Sequence, residues 1–229
     1  MIYAIADLHG CCDKYQAMLE KIHFCDADTL YVLGDVIDRR PGGIQILQDM
    51  MARPNVVPIL GNHEYMMAVS LSWLTAEITP SSLSKLDEFH LGAFRDWMGN
   101  GGELTLRAFR ALSQAEREDV LDYLREFSLY EEVEVSGRSF VLVHAGLDNF
   151  APNRPLEDYT PEELLFCRPQ LDTTYWPHKT VIFGHTPTWY RGSDKKILHR
   201  DTWINIDCGC GSGGPLSCLC LDTTKEFYV

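Results

Sequence analysis

The segment Ile2-Tyr3-Ala4-Ile5-Ala6-Asp7-Leu8-His9-Gly10 decides how this chain folds. Five small or apolar residues make a run of strand length. It leads straight into an acidic residue, a histidine and a glycine, and a stretch of helical period follows at 13–22. The same order recurs twice. Residues 29–33 lead into Gly34-Asp35-Val36-Ile37-Asp38-Arg39 and a helical stretch at 41–51, where Pro41 suits the first turn. Residues 56–60 lead into Gly61-Asn62-His63-Glu64 and a helical stretch at 64–72. Strand and helix alternating at this interval specify βαβ units and an α/β chain with a parallel or mixed sheet.

Working outward, residues 75–127 read as helices without strands, an insert beside the sheet. Ser113 and Glu116 form a capping box that opens a helix reaching residue 126. Strands resume at 130–135 and 139–143 around Ser136-Gly137-Arg138, a hairpin turn. Further short strands are expected at 180–183, 203–206, 216–221 and 227–229, with a proline-bearing loop at 149–161.

The 229 residues are 45% hydrophobic and 23% charged, which excludes wholesale disorder and fibrous architectures. One domain spanning 1–229, with the helical insert at 75–127, is the expectation. No apolar run approaches the ~18 residues of a membrane span, and the first ten residues lack the pattern of a secretory leader. A net charge of −13 repels phosphate backbones at long range, which argues against nucleic acid as a partner. The eight cysteines are then expected as reduced thiols in a cytoplasmic protein. Cys208, Cys210, Cys218 and Cys220 form C-x-C pairs rather than the zinc-type C-x-x-C and read as small buried side chains.

In open α/β sheets, ligands bind beyond the carboxyl ends of the strands. That rule selects Asp7 and His9, then Asp35, Asp38 and Arg39, then Asn62 and His63. It also selects His144 after the run 141–143 and His185 after 181–183. Taken singly, an aspartate there is a helix cap and an asparagine a turn residue. Five ligand-bearing turns at five strand ends have no such structural explanation. Carboxylate and amide oxygens suit Mn²⁺ or Mg²⁺, and imidazole suits Fe, Zn, Ni and Mn. Neither Cys11 nor Cys12 has an arginine at the C-x₅-R offset of a cysteine phosphatase.

The strings ADLHG, GDVIDR, GNHE, VHAG and FGHTP, in that order, resemble the phosphoprotein phosphatase family of metallophosphoesterases. The likeness is to its bacterial and bacteriophage lambda phosphatase branch, with Ala6 where the family has glycine and Leu60 where eukaryotic members have arginine. The resemblance implies a four-layer α/β/β/α sandwich and two divalent metal ions, with manganese expected and Fe, Zn, Ni or Mg as alternatives. It implies that Asp7, His9 and Asp35 bind one ion, and that Asp35, Asn62, His144 and His185 bind the other. His63 would protonate the leaving oxygen with Asp38 orienting it, and Arg39 and Arg168 would hold the phosphate, ahead of Arg154 and Arg191. Glu64 would support the helix start. The Asn100-Gly101-Gly102 turn and the loop 208–214 would line the site, with Trp97 in the core.

Two cations acidify a shared water to hydroxide near neutral pH and neutralise phosphate oxygens, so a direct attack needs no phosphoenzyme. The expected activity is that of a protein serine/threonine phosphatase acting on a phosphorylated protein or a small phosphoester. The alternatives are hydrolysis of diadenosine tetraphosphate, another nucleotide or an RNA-end phosphoester. With every metal position filled, a non-catalytic scaffold is disfavoured.

Overall fold

The computed structural model describes residues 1–74 and 88–229, so the part of the expected insert at 75–87 lies outside the described residues. The three opening repeats form β1 (Ile2–Ile5), α1 (Cys12–Lys21), β2 (Thr29–Val32), α2 (Gly43–Met51), β3 (Val56–Pro58) and α3 (Asn62–Leu74). The insert supplies α4 (Glu88–Gly99), α5 (Gly102–Ala111) and α6 (Gln114–Arg125). The second half contains β4 (Tyr130–Val135), β5 (Arg138–Val143), α7 (Pro161–Leu165), β6 (Lys179–Phe183), β7 (Leu198–His199), β8 (Trp203–Asn205), β9 (Ser217–Cys220) and β10 (Glu226–Tyr228).

These strands make two mixed five-stranded sheets, ordered β10-β9-β1-β2-β3 and β4-β5-β6-β8-β7. In the first, β1, β2 and β3 run parallel while β9 and β10 are antiparallel additions. In the second, β5, β6 and β8 run parallel between antiparallel edges. The side-chain alternation of a strand assigns the layers. Ala4, Ala6 and Leu219 of the first sheet meet Phe140, Leu142, Ile182 and Ile204 of the second in one buried cluster, so the sheets stack face to face. The alternate residues Tyr3, Ile5, Cys218 and Cys220 face outward against α1, α2, α3, α5 and α6. On the far side, Val141, Val143, Val181 and Phe183 are covered by Leu164 of α7 and by loop residues such as Tyr159, Tyr175 and Trp176. The α/β fold is therefore a sandwich of two mixed sheets, with its fourth layer built mostly from loop.

Local details depart from the expectations for physical reasons. Pro41 precedes the N-cap Gly42 and stands outside α2, because Gly42 packs on Cys12 and Gly10 and fixes where the helix begins. The loop ending at residue 161 yields Pro161 to α7, where Thr160 and Glu163 form a second capping box. The box at Ser113 and Glu116 is present as expected. Ser136 and Gly137, both at positive φ, make a two-residue hairpin turn. The strands expected at 203–206 and 216–221 shorten by one and two residues, the one expected at 227–229 shifts back by one, and β7 is an edge pair too short to show in the sequence pattern.

Two glycines let the site loops touch. A Cβ on Gly34, whose φ is +77°, would lie 2.5 Å from Gly61 Cα, and one on Gly61 would lie 2.3 Å from the Asp35 amide nitrogen. Gly61→Ala is accordingly expected to destabilise the protein by about 1–3 kcal/mol through overpacking. Gly92→Ala, inside α4, where the added carbon meets no atom of the described residues within 4 Å beyond the helix's own backbone, is expected to stabilise it by up to about 1 kcal/mol. Urea denaturation of both variants checks the pair.

Candidate metal centre

Asp7, His9, Asp35, Asp38, Arg39 and His185 all adopt φ between 44° and 69°, the left-handed region. They are six of the eleven non-glycine residues with positive φ among the described residues. Strain of this kind persists only where surrounding bonds over-determine the backbone. Here the turns are cross-linked at the carboxyl ends of their strands. Asp7 N donates to Gly34 O (3.1 Å), His9 N to Asp35 O (2.8 Å), Gly10 N to Val36 O (2.8 Å) and Gly184 N to His144 O (2.8 Å).

Two compact donor groups share Asp35. Its Oδ2 lies 3.5 Å from His9 Nε2, and its Oδ1 lies 3.5 Å from His144 Nε2. His144 Nε2 also sits 2.9 Å from Asn62 Oδ1 and 3.1 Å from His185 Nδ1. His9 and His144 spend their Nδ1 atoms on the Ile37 and Leu33 carbonyl oxygens, at 3.1 and 2.8 Å. That arrangement fixes the tautomer and turns the Nε2 lone pair inward, as metal-binding histidines require. The Asn62 amide oxygen then faces that lone pair, acceptor against acceptor, which a cation between them would resolve. Burial holds His9 down at about 3 and His185 at about 2, and it lowers His144, so all three imidazoles are neutral ligands at pH 7. Burial, together with Asp207 and Asp35, pushes the Asp7 carboxyl well up, a crowding that bound cations would relieve. Asp7 is positioned by the His185 amide, which donates to both its oxygens at 3.0 and 2.9 Å. The donors present fit a pair of divalent ions.

His63 is set apart by its partners. Its Nδ1 pairs with Asp38 Oδ2 at 2.6 Å, and its Nε2 lies 3.4 Å from Arg39 Nη2 and 3.8 Å from Asp35 Oδ2. Geometry alone groups His63 with His9 and Asp35 as metal donors. The Asp38 carboxylate on Nδ1, a partner that neither His9 nor His144 has there, suits the His63 ring to carry a proton. Burial opposes its charge, but Asp35 and Asp38 outweigh that and raise its pKa.

The structure adds residues that the sequence did not reveal. Asp38 is buried on α5 and α4, where Thr105 Oγ1 donates to its Oδ1 at 2.6 Å and accepts from its amide at 3.0 Å. Trp97 Nε1 donates to both Asp38 oxygens at 3.1 and 3.0 Å, so this core residue also belongs to the site. Glu64 does more than open a helix. Its carboxylate accepts from the amides of Asp35 (2.8 Å), Val36 (2.9 Å), Ile37 (3.2 Å) and Gly61 (3.2 Å), which binds two site loops together. Asp207 is buried beside Asp7 and Asp35 and accepts from Gly209 N at 2.7 Å; burial pushes its carboxyl up to about 7. It follows the run 203–206, so the strand-end rule extended to that run would have found it.

Arg39, His63, Asn62, His185 and Arg168 line one cavity of about 530 Å³. Arg168 is held there by Thr186, whose Oγ1 accepts from Nη1 at 3.0 Å. The rival arginines are engaged elsewhere, Arg154 with Glu163 (2.6 Å) and Arg191 with the Pro169 carbonyl. Asn100 lines the same cavity and Gly101 O accepts from Arg39 N at 3.4 Å, so the Asn-Gly-Gly turn does border it. The loop 208–214 packs Gly211 against the His9 ring as a wall. Cys208, Cys210, Cys218 and Cys220 are free thiols within the apolar clusters. No helix among the described residues is long and apolar enough to cross a membrane.

A family model described as calcineurin-like phosphoesterase matches residues 1–201. A symmetrical bis(5'-nucleosyl)-tetraphosphatase of Pseudomonas fluorescens is 28% identical over 81% of this chain and 56% of its own length. The asymmetrical bis(5'-nucleosyl)-tetraphosphatase PrpE of Halalkalibacterium halodurans is 25% identical over 94% of this chain and 87% of its own. The crystal structure of a candidate diadenosine tetraphosphatase superposes with a TM-score of 0.70 at 19% identity, over 100% of this chain and 92% of that one, a likeness of fold. These relatives favour the nucleotide alternative over the serine/threonine phosphatase expectation.

Two predictions follow from this geometry. Thr105→Val keeps the shape but strips Asp38 of two hydrogen bonds, and is expected to lower stability by about 1–3 kcal/mol, read by urea denaturation alongside a fall in kcat. Manganese added to chelator-treated protein at a hundred times its Kd is expected to stabilise it by about 2.7 kcal/mol per site. Thermal melts should show Asp35→Asn losing that gain at both sites and His9→Ala losing it at one.

Proposed function

The chain belongs to the calcineurin-like phosphoesterase family, and from that membership we propose that it hydrolyses dinucleoside tetraphosphates such as diadenosine tetraphosphate. The observation that carries this reading is the cavity of about 530 Å³ that joins Arg39 and Arg168 to the histidine–aspartate clusters. Its size is that of a small-molecule site (~300–1,000 Å³), and its cations suit a polyphosphate chain. The names of the relatives support the same substrate class.

In this reading Asp7, His9 and Asp35 would hold one divalent ion and Asp35, Asn62, His144 and His185 a second. Manganese is the proposed metal. When bound, the pair supplies positive charge for the phosphate and acidifies water. The chain's own groups complete the reaction. Arg39 and Arg168 grip phosphate oxygens by forked hydrogen bonds and fix the scissile group. A water oxygen bonds to phosphorus and its proton passes to solvent, the bond to the bridging oxygen breaks, and His63 delivers its Nε2 proton to the departing phosphate oxygen. Asp38, 2.6 Å from Nδ1, keeps the ring aimed and stabilises its charged form. Trp97 and Thr105 keep Asp38 from turning away. The eight free thiols accord with a cytoplasmic location, which is part of this proposal.

With divalent metal present, the wild type is expected to convert diadenosine tetraphosphate to nucleotides separable by ion-exchange chromatography. ADP alone identifies symmetrical cleavage, and ATP with AMP identifies asymmetrical cleavage. His63→Ala is expected to lower kcat about 10²-fold, the lower end for general acid catalysis because a nucleotide leaves readily. Turnover of a phosphoserine peptide at a higher kcat/KM than the dinucleotide would overturn the assignment.

A further inference from the structure

The cavity that holds the two arginines is also lined by Tyr65 of α3, Phe166 just after α7, and the carboxylates Glu88 and Asp96 of α4 and Glu162 of α7. We propose that these residues form a nucleoside-binding subsite, with Tyr65 and Phe166 as aromatic walls for a base and with Asp96 and Glu162 as acceptors for ribose hydroxyl or base amino protons. The inference rests on the dinucleoside tetraphosphate reading and names the residues that would recognise the nucleoside.

Three observations carry it. First, Phe166 exposes 42% of its surface, one of five large hydrophobic residues so exposed among the described residues, and its ring stands in the cavity two positions before Arg168. An exposed aromatic beside a phosphate-binding arginine has no packing purpose, whereas stacking on a base gives it one. Second, Tyr65 is tethered: its hydroxyl donates to Glu162 Oε1 at 3.3 Å, across 97 residues of sequence. That bond ties α3 to α7 at the cavity mouth and limits how the Tyr65 ring can turn. Third, the one cavity carries both kinds of group, the cations Arg39 and Arg168 and the carboxylates Glu88, Asp96 and Glu162. A nucleoside polyphosphate needs both. Its phosphates seek cations, while its ribose hydroxyls and base amino groups are donors that seek acceptors, and carboxylates are commonly used on a ribose. A phosphoserine peptide offers neither a flat ring nor a vicinal diol to these groups.

The test is isothermal titration of the full chain with a methylene-bridged, non-hydrolysable diadenosine tetraphosphate and, separately, with inorganic tripolyphosphate. Phe166 is exposed, so its replacement leaves the core intact. Phe166→Ala is expected to weaken the dinucleotide analogue about tenfold while leaving tripolyphosphate binding within about twofold. Phe166→Tyr should restore the wild-type value. Asp96→Asn should weaken the analogue and not tripolyphosphate. Equal weakening of both ligands, or unchanged analogue binding in Phe166→Ala, would overturn the subsite. A phosphoserine peptide whose affinity depends on Phe166 when the analogue's does not would assign the surface to peptide and overturn it as well. Analogue binding that depends on Phe166, in a wild type that does not hydrolyse diadenosine tetraphosphate, would remove the hydrolase reading and leave the subsite standing.

Discussion

The Asp35 carboxylate is the constraint to which the rest of the site answers. It is buried, with one oxygen turned to His9 and the other to His144. Burial alone would keep such a group protonated, and the neighbouring His63, whose charged form is favoured, opposes that and holds its pKa low. Its backbone must also turn at φ +52° directly after β2, against the crowded face of Gly61. Glu64 stabilises that turn by accepting the Asp35, Val36 and Ile37 amides together. A buried anion held this rigidly between imidazoles is costly without a cation, and the dinuclear site that the family implies removes the cost.

The fold supplies rigidity where the loops have none of their own. Both sheets present parallel strands whose carboxyl ends gather at one rim, and the apolar layer between them locks their relative position. Each fully buried Leu or Ile in that layer contributes about 1.5–3 kcal/mol. That burial opposes the strain of the six left-handed site residues, at roughly 1–3 kcal/mol each. The helical insert does more than cover the first sheet. Through Trp97 and Thr105 it reaches Asp38, the partner of His63, so the insert and the His63–Asp38 pair form one buried hydrogen-bonded unit.

The charge distribution separates the site from the protein that carries it. A chain of net charge −13 places Arg39 and Arg168 at a single cavity beside neutral imidazoles. The attraction for phosphate is therefore local, and acidic surfaces elsewhere disfavour broad polyanion binding.

The sequence by itself determined the α/β class and the order of the strands, and it picked out nine candidate site residues at strand ends, because alternation, helical period and glycine-bearing turns are local signals. It preferred Arg168 to Arg154 and Arg191; in the structure Arg168 lines the cavity with Arg39, while Arg154 pairs with Glu163 and Arg191 with the Pro169 carbonyl. It placed Trp97 in the core without showing its bond to Asp38, and it left Asp207 unread although the strand-end rule covers it. Only the tertiary structure decided which distant groups meet. Thr105 reaches Asp38 across 67 residues, Trp97 across 59, and Tyr65 reaches Glu162 across 97. No local pattern encodes such pairs, since each is fixed by how helices dock on a sheet and not by the spacing of residues along the chain.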